Sequence, residues 1–185
     1  MGVGMKEMLK TYYQLTDLQI RQLDFLRKTL LSEISKLLIM GFLFRKQLDV
    51  YCISVLALCL IRTSIGGLHC KTYLRCLLST TAYMVVCLVL LPPVAVSLPI
   101  KAGLLLVCAA VNYMVGPVAS DVHVPLKPSQ IQKGRIYATA LILIFLVILC
   151  IIPENIYVVP VFWIMIVHTL QLIAAKIRKK GVKKI

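Results

Sequence analysis

Four apolar segments in the second half of the chain constrain its fold most strongly. They cover residues 77–91, 98–116, 136–152 and 156–175. Each is close to the roughly 20 residues that a helix needs to cross a bilayer. The chain is also 60% hydrophobic, with a mean hydropathy of +0.91, which is more apolar surface than one soluble core can hide. We therefore predict an all-α, polytopic integral membrane protein with four clear transmembrane helices.

The first part of the chain has a different pattern. Residues 5–44 place leucine and isoleucine at helical spacing among charged residues, which predicts an amphipathic helix at a membrane interface or on a partner subunit. Residues 48–61 are apolar but short for a full crossing. With the preceding run they form either a re-entrant hairpin or two tilted spans. We treat residues 1–185 as one membrane domain, made of parts 1–46, 47–76, 77–175 and a basic tail, 176–185.

The charge distribution predicts the orientation. The chain has 21 Lys and Arg against 7 Asp and Glu, a formal charge of +14, without a nucleic-acid motif. We therefore expect no nucleic acid and instead anionic lipid headgroups as partners. The loop with Lys127, Lys133 and Arg135 and the tail after residue 175 are basic, whereas turns 92–97 and 153–155 carry no cation. The positive-inside rule then places the loop, the tail and both termini in the cytoplasm, with Lys101 snorkelling to the outer interface.

Reactive residues concentrate between positions 62 and 76. The stretch contains a histidine, two cysteines, two glycines and several cations: Arg62, Gly66, Gly67, His69, Cys70, Lys71, Arg75 and Cys76. The predicted topology places it where a span leaves the cytoplasm. A histidine and a cysteine within reach of each other form a nucleophile and its base. The alternative is that both are ordinary packed or interfacial residues.

Helix geometry limits how His69 and Cys76 can work together. Seven residues on one straight helix separate their Cα atoms by roughly 10.5 Å, too far for a hydrogen bond between the side chains. A working pair needs a break, and Gly66-Gly67 supplies one just before His69. Cys76 would then lie in the first turn of a helix, beside Arg75 and Lys71, where a thiolate is favoured.

Metal binding fits this sequence poorly. The spacing of His69, Cys70 and Cys76 does not match common zinc motifs, so we expect no metal and no cofactor. His123 and His168 are too scattered to be ligands, and His168 is deep enough in its span to hydrogen-bond between helices. Five other cysteines lie in apolar runs and are interpreted as packing residues: Cys52, Cys59, Cys87, Cys108 and Cys150.

The pattern Arg62-x₃-Gly66-Gly67-x-His69-x₆-Cys76, followed by spans and a loop with proline and lysine, resembles the accessory gene regulator B (AgrB) family of Gram-positive quorum-sensing systems. The resemblance covers most of the chain. It implies a cysteine endopeptidase of the cell membrane that cuts a signal propeptide (AgrD-like) and promotes closure of a thiolactone or lactone ring. Carried over, Cys76 is the nucleophile and His69 the base, while Cys70 is structural.

The resemblance also assigns supporting roles. Arg62, Gly66 and Gly67 match motif positions with structural or substrate-orienting roles, and the family suggests a homodimer. Asp121 is the candidate for orienting His69. The cations that would attract substrate or lipid are Lys71, Arg75, Lys127, Lys133 and Arg135. The rival interpretation is a non-catalytic peptide transporter, which would carry polar residues within its spans. Such residues are few: Thr80, Thr81, Asn112, His168 and Gln171.

Overall fold

The computed structural model describes residues 16–66, 72–117 and 128–182, and the regular structure within these ranges is entirely helical. The chain divides into two compact units, Met1–Arg45 and Lys46–Ile185. The predicted all-α class is confirmed.

The first unit contains one long helix, α1 (Asp17–Leu43). Thr16 caps its N-terminus: the Gln19 backbone N–H donates to the Thr16 hydroxyl, and the Gln19 side chain accepts from the Thr16 backbone N–H. This reciprocal pair satisfies two donors that a helix start otherwise leaves open. The helix ends before Arg45, as the sequence predicts. The earlier part of the predicted helix, up to residue 15, lies outside the described residues.

The second unit begins at Lys46, within a short 3₁₀ turn, Arg45–Gln47, and its described residues contain five α-helices. They are α2 (Leu48–Ile65), α3 (Tyr73–Val85), α4 (Leu98–Val115), α5 (Pro128–Ile151) and α6 (Val158–Val182). A π-helical turn, Val86–Leu90, continues α3 until Pro92 and Pro93, which cannot extend a helix. In the part of the chain that the structure describes, five stretches are long and apolar enough to cross a membrane, starting at Arg45, Tyr73, Leu98, Pro128 and Val158.

The fifth candidate span extends residues 48–61, whose crossing the sequence left open. Arg45–Ile65 has 21 residues and a length sufficient for a crossing. The helix gains length because its polar last turn is internally satisfied: the hydroxyls of Thr63 and Ser64 both donate to the Leu60 carbonyl. Polar residues that bond to their own helix do not end it, so the apolar run understates the length of α2.

Helix α6 lies at the centre of the second unit. It packs against α2, α4 and α5 and against the π-helical end of α3. In the described residues, 56% of its most apolar window is buried, compared with 22–33% in the other four candidate spans. Side chains such as Phe162, Ile164 and Leu172 are completely covered. The other helices therefore present more of their apolar surface outward, where lipid is the natural solvent.

The cysteines of the apolar runs fall into two groups. Cys87 and Cys108 are buried, as predicted, whereas Cys52, Cys59 and Cys150 are exposed on the outer surface of their helices. A small apolar side chain suits either position in a membrane protein.

Candidate active site

The last turn of α2 positions the beginning of the reactive stretch. Arg62 lies in this turn and is half-buried. Gly66 ends the helix with a φ of 80°, and its backbone N–H donates to the Arg62 carbonyl oxygen at 2.8 Å. A side chain is strained at such a positive φ, whereas glycine adopts it freely. The predicted break at the glycines is therefore present at Gly66.

The first turn of α3 positions Cys76. Thr72 precedes the helix with an extended backbone (φ −119°, ψ 146°), and the Cys76 backbone N–H donates to the Thr72 carbonyl at 3.1 Å. The Cys76 side chain is partly exposed. Since the first backbone N–H groups of a helix carry partial positive charge, a nucleophile in this turn meets a favourable field for negative charge.

The break that a His69–Cys76 pair requires lies at Thr72. The two residues do not share one continuous helix, since α2 ends at Ile65 and the extended Thr72 separates His69 from α3. The glycines alone do not supply this break, because they precede His69. His69 itself lies outside the described residues, as do Gly67, Cys70, Lys71, Asp121 and Lys127. The distance between the two reactive side chains therefore stays a prediction.

A narrow polar cavity lies beside α3, on the C-terminal side of Cys76. Its lining combines residues of α2, α3 and α6: Leu58, Arg62, Ser79, Thr80, Tyr83 and Gln171. The Thr80 hydroxyl donates to the Cys76 carbonyl at 2.9 Å, so the cavity begins one helical turn from the cysteine. Its volume is about 10 Å³, which is room for roughly one water molecule. Arg62 therefore shares a small polar space with the helix that carries Cys76.

Two hydrogen bonds, one turn apart along α6, join this helix to α3 and to the end of α2. The Tyr83 hydroxyl donates to the Ile164 carbonyl at 2.9 Å. The His168 Nε2 lies 3.2 Å from the Gly66 carbonyl oxygen. The prediction that His168 hydrogen-bonds between helices is confirmed. The role of Tyr83 was not predicted; a tyrosine inside an apolar run, whose hydroxyl must find a partner, was the signal available in the sequence.

The Cys76 end of the second unit comprises the last turns of α2, α4 and α6 and the first turns of α3 and α5. Lys176 Nζ donates to the Val115 carbonyl at 2.6 Å. A Cβ atom on Gly116 would lie only 2.5 Å from Arg135 Nε, so this guanidinium packs directly against the end of α4. Cations at the C-terminus of a helix are stabilised by its partial negative charge.

The cations predicted to attract substrate or lipid differ in their exposure. Arg135 contacts the end of α4, whereas Lys133 and Arg75 are exposed. At this end α5 also approaches α2 closely, because a Cβ on Gly134 would lie 2.6 Å from the Ser64 carbonyl oxygen. The exposed pair, Arg75 and Lys133, stays available for an anionic substrate or lipid.

The Lys101 end is the opposite end of the same unit. Lys101 is 4% exposed, and its Nζ lies 2.9 Å from Glu154 Oε1. The amine thus reaches the α5–α6 turn, where the exposed Glu154 pairs with it; snorkelling to a membrane interface stays a prediction. The Tyr157 hydroxyl donates to Asp49 Oδ2 at 2.8 Å, and this bond to the carboxylate raises the pKa of Tyr157.

An open cleft of about 410 Å³ lies beside the Lys101–Glu154 pair, lined mainly by residues 92–97 and by Val159. No group of three His, Cys, Asp or Glu side chains that could hold a metal ion occurs within residues 16–66, 72–117 and 128–182.

The fold and this arrangement define a multi-pass helical membrane protein with a cysteine at the start of a span, behind a link that carries a histidine. The sequence profile of accessory gene regulator B matches residues 7–173, and the chain therefore belongs to the AgrB family. Membership places the protein in the agr quorum-sensing system, in a family that is generally linked to peptide processing.

A curated relative supports the assignment over a shorter region. The chain is 32% identical over 71 residues to a putative AgrB-like protein of Clostridium beijerinckii. The alignment covers 37% of this chain and 36% of that relative, so the chain spans about a third of the relative's length in this match. No solved structure matches the chain.

Proposed function

We propose that the protein is a membrane-embedded cysteine endopeptidase that cleaves an AgrD-like signal propeptide in its C-terminal part and promotes ring closure. The observation that carries the proposal is the position of Cys76, in the first turn of α3 and partly exposed, directly after the link that contains His69. A nucleophile at a helix start, with a candidate base a few residues earlier in the chain, is a favourable arrangement for covalent catalysis.

The proposed first step is acyl transfer to the enzyme. His69 accepts the proton of the Cys76 thiol, and Sγ attacks the carbonyl carbon of the scissile peptide bond. The carbon–nitrogen bond then breaks, and His69 returns the proton to the leaving amine of the C-terminal fragment. The product is a thioester between Cys76 and the remaining propeptide, which retains much of the activation of the original bond.

The second step closes the ring. A thiol or hydroxyl within the bound propeptide attacks the thioester carbonyl, forms a thiolactone or lactone, and releases the Cys76 sulfur, while the nucleophile's proton returns to the dyad. An internal nucleophile competes well with water because it is already held nearby. A site where a span begins, close to the membrane interface, also limits access of water.

Electrostatics supports substrate binding at this end. The exposed Arg75 and Lys133 add positive charge around Cys76, whereas Arg135 and Lys176 contact the end of α4. An acidic propeptide tail would be attracted to such a surface, as would anionic lipid headgroups. We propose accordingly that the Cys76 end faces the cytoplasm of a Gram-positive cell, with both termini inside.

The transporter alternative is less well supported by the interior of the second unit. Two of its buried polar side chains bond to each other and to backbone: Asn112 donates to the Cys108 carbonyl and to the Thr169 hydroxyl. Thr169 in turn donates to the Met165 carbonyl. Groups that are paired in this way stabilise helix packing rather than line a path for a peptide.

The test is cleavage by purified protein in proteoliposomes. The substrate is a synthetic amphipathic propeptide with an internal Cys or Ser and an acidic C-terminal tail. We expect Cys76→Ala and His69→Ala to abolish both cleavage and ring formation, measured by mass spectrometry. Cys70→Ala and the exposed-site control Cys150→Ala should retain activity. Cleavage that persists in Cys76→Ala refutes the mechanism, and loss in Cys70→Ala alone reassigns the nucleophile.

Orientation and assembly have separate tests. A membrane-impermeant maleimide should label a cysteine introduced at Lys133 only after the cytoplasmic side is opened. We also propose a homodimer, which cross-linking in native membranes should detect as a single species of twice the chain mass. Labelling of intact cells would reverse the orientation, and a monomer at all protein concentrations would exclude the dimer.

A further inference from the structure

His168 is a buried polar group that the proposed chemistry does not use. It lies in α6 with 0% of its surface exposed. Its Nε2 is 3.2 Å from the Gly66 carbonyl oxygen, which only accepts hydrogen bonds, so Nε2 carries the hydrogen and donates. Its Nδ1 is buried and makes no hydrogen bond within residues 16–66, 72–117 and 128–182. Burying an imidazole among apolar helices is costly, and an Ile or Leu would fill the space without that cost.

The partner of His168 is the residue at which the chain leaves α2. Gly66 is the C-terminal cap, and its carbonyl lies beyond the helix's own hydrogen-bond ladder. The bond from His168 therefore fixes the plane of the Gly66 peptide group, and with it the direction in which the chain departs. Only Gly67 and Leu68 separate this anchored peptide from His69.

The same part of α6 also holds the other end of the reactive stretch. Ile164, one turn before His168, accepts the hydrogen bond from Tyr83 of α3. Tyr83 is seven residues, or two turns, beyond Cys76 and therefore on nearly the same face of the helix. Two positions roughly 6 Å apart along α6 thus anchor the helix that ends before His69 and the helix that carries Cys76 in its first turn.

We propose that His168 is a positioning residue of the peptidase: by donating to the Gly66 carbonyl it sets where the His69-bearing link starts relative to Cys76. This proposal rests on the proposed function, because it assigns His168 a part in the spacing of that dyad. His168 does not touch the reacting atoms. Its effect arises because a shift of about 1 Å in a reacting group can cost roughly a hundredfold in rate.

A purely structural role for His168 has a neighbouring control. Thr169, the next residue of α6, is 4% exposed and accepts a hydrogen bond from Asn112 of α4. This contact also joins α6 to another helix through a buried polar pair, but it is directed away from the reactive stretch. Thr169→Val therefore removes a comparable interhelical contact without altering Gly66.

The first experiment compares His168→Leu, His168→Gln and Thr169→Val in proteoliposomes with the same synthetic propeptide. We expect His168→Leu to lower kcat by about 10- to 100-fold with KM within about threefold of wild type. Glutamine carries an N–H at a similar distance along its side chain, so His168→Gln should recover kcat to within about fivefold of wild type. Thr169→Val should lower thermal stability with little change in kcat.

Three kinetic outcomes would overturn the proposal. They are a His168→Gln variant no more active than His168→Leu, an effect on KM alone, or an equal loss of kcat in Thr169→Val. If the wild-type protein itself does not cleave, the proposed function fails as well. If wild type cleaves and His168→Leu is fully active, only the positioning role fails.

A second measurement reads the contact without any cleavage. The chain has three histidines, so His69→Gln with His123→Gln leaves His168 as the only one. Two-bond nitrogen–proton couplings of the ¹⁵N-labelled imidazole identify its tautomer. We expect the Nε2–H form in every lipid composition in which the protein stays folded. The Nδ1–H form would refute the bond to Gly66 and the proposal with it, even in a preparation too inactive for kinetics.

Discussion

The two ends of the same helical unit use their polar residues in different ways. At the Cys76 end, side chains donate to backbone carbonyls of other helices, His168 to Gly66 and Lys176 to Val115; deeper in the unit, Tyr83 donates to Ile164. At the Lys101 end, the short contacts join side chains, Lys101 with Glu154 at 2.9 Å and Tyr157 with Asp49 at 2.8 Å, and Lys101 has a longer contact of 3.4 Å with the Pro153 carbonyl.

The difference follows from what each kind of contact constrains. A backbone carbonyl has a position fixed by its helix, so a bond to it places one main chain against another. A pair of long side chains joins two segments but leaves both free to adjust through rotamers. Accurate placement is therefore concentrated at the end that carries the proposed nucleophile and base, and the Lys101 end mainly holds the connections together.

The largest expected effect that tests this comparison is at a close backbone contact. Gly134→Ala at the Cys76 end puts a Cβ 2.6 Å from the Ser64 carbonyl oxygen, which forces α5 away from α2. We expect the free energy of unfolding to fall by about 2 kcal/mol and cleavage to fall with it.

The matched control is Gly103→Ala in α4, where nothing lies within 4 Å of the new Cβ. It should leave stability unchanged or raise it slightly, because alanine favours the helix. Unfolding in mixed micelles containing dodecyl sulfate measures both variants. Equal free energies of unfolding in the two variants would show that close helix packing does not distinguish the two ends.

The second prediction compares two Tyr→Phe changes. Tyr83→Phe removes the buried bond to Ile164 and should lower the free energy of unfolding by about 1 kcal/mol, with a reduced kcat because α3 carries Cys76. Tyr157→Phe removes the exposed bond to Asp49 at the other end and should lower stability much less than Tyr83→Phe, with kcat at the wild-type value. Thermal unfolding and propeptide cleavage are measured for both variants. A loss of kcat in Tyr157→Phe would contradict the expected difference between the two ends.

The third prediction concerns the ion pair of the Lys101 end. Glu154→Gln removes the charge opposite the buried amine, but Glu154 is 79% exposed, so solvent screens most of the interaction. We expect a loss of about 0.5 kcal/mol in the free energy of unfolding and unchanged cleavage. A variant that unfolds normally yet cleaves slowly would indicate that the Lys101 end takes part in function.

The smallest expected effect is a titration shift. The Asp49 carboxylate accepts from the Tyr157 hydroxyl and repels a phenolate, so the pKa of Tyr157 is raised in the folded protein. The small stabilisation of the folded state by this hydrogen bond is therefore present at neutral pH and is lost as pH rises through the raised pKa of Tyr157. Asp49→Asn should lower the pKa of Tyr157, and ¹³C-tyrosine NMR measures this pKa in both proteins. An unchanged pKa would mean that the bond is absent in the membrane.

Much of the fold was predictable because lipid imposes a simple rule on sequence. The later spans follow from runs of apolar residues, and each predicted segment overlaps an observed helix. The expectation for residues 48–61 left their crossing open, because the apolar run stops before Thr63 and Ser64, which bond to the Leu60 carbonyl within the helix. The sequence also did not indicate the partner of Lys101, which is 53 residues away.

The sequence names the residues of the candidate site, and they stay a prediction; the contacts that support the site come from the structure. The spacing of Gly66, His69 and Cys76 already required a break, and resemblance selected Cys76. Sequence placed the break at the glycines, whereas the extended residue between the dyad positions is Thr72. The role of α6 was hidden because no local pattern connects His168 to Gly66 across 102 residues.

The sequence by itself determined that the chain is a helical membrane protein, which end of its spans is basic, and which reactive residues lie close together along the chain. These properties depend on the transfer of side chains between water and lipid and on local spacing, so each can be assessed segment by segment. Only the tertiary structure decided which helix lies at the centre and which carbonyls receive its side chains. That choice depends on packing five helices at once, where one buried hydrogen-bond donor must meet one acceptor.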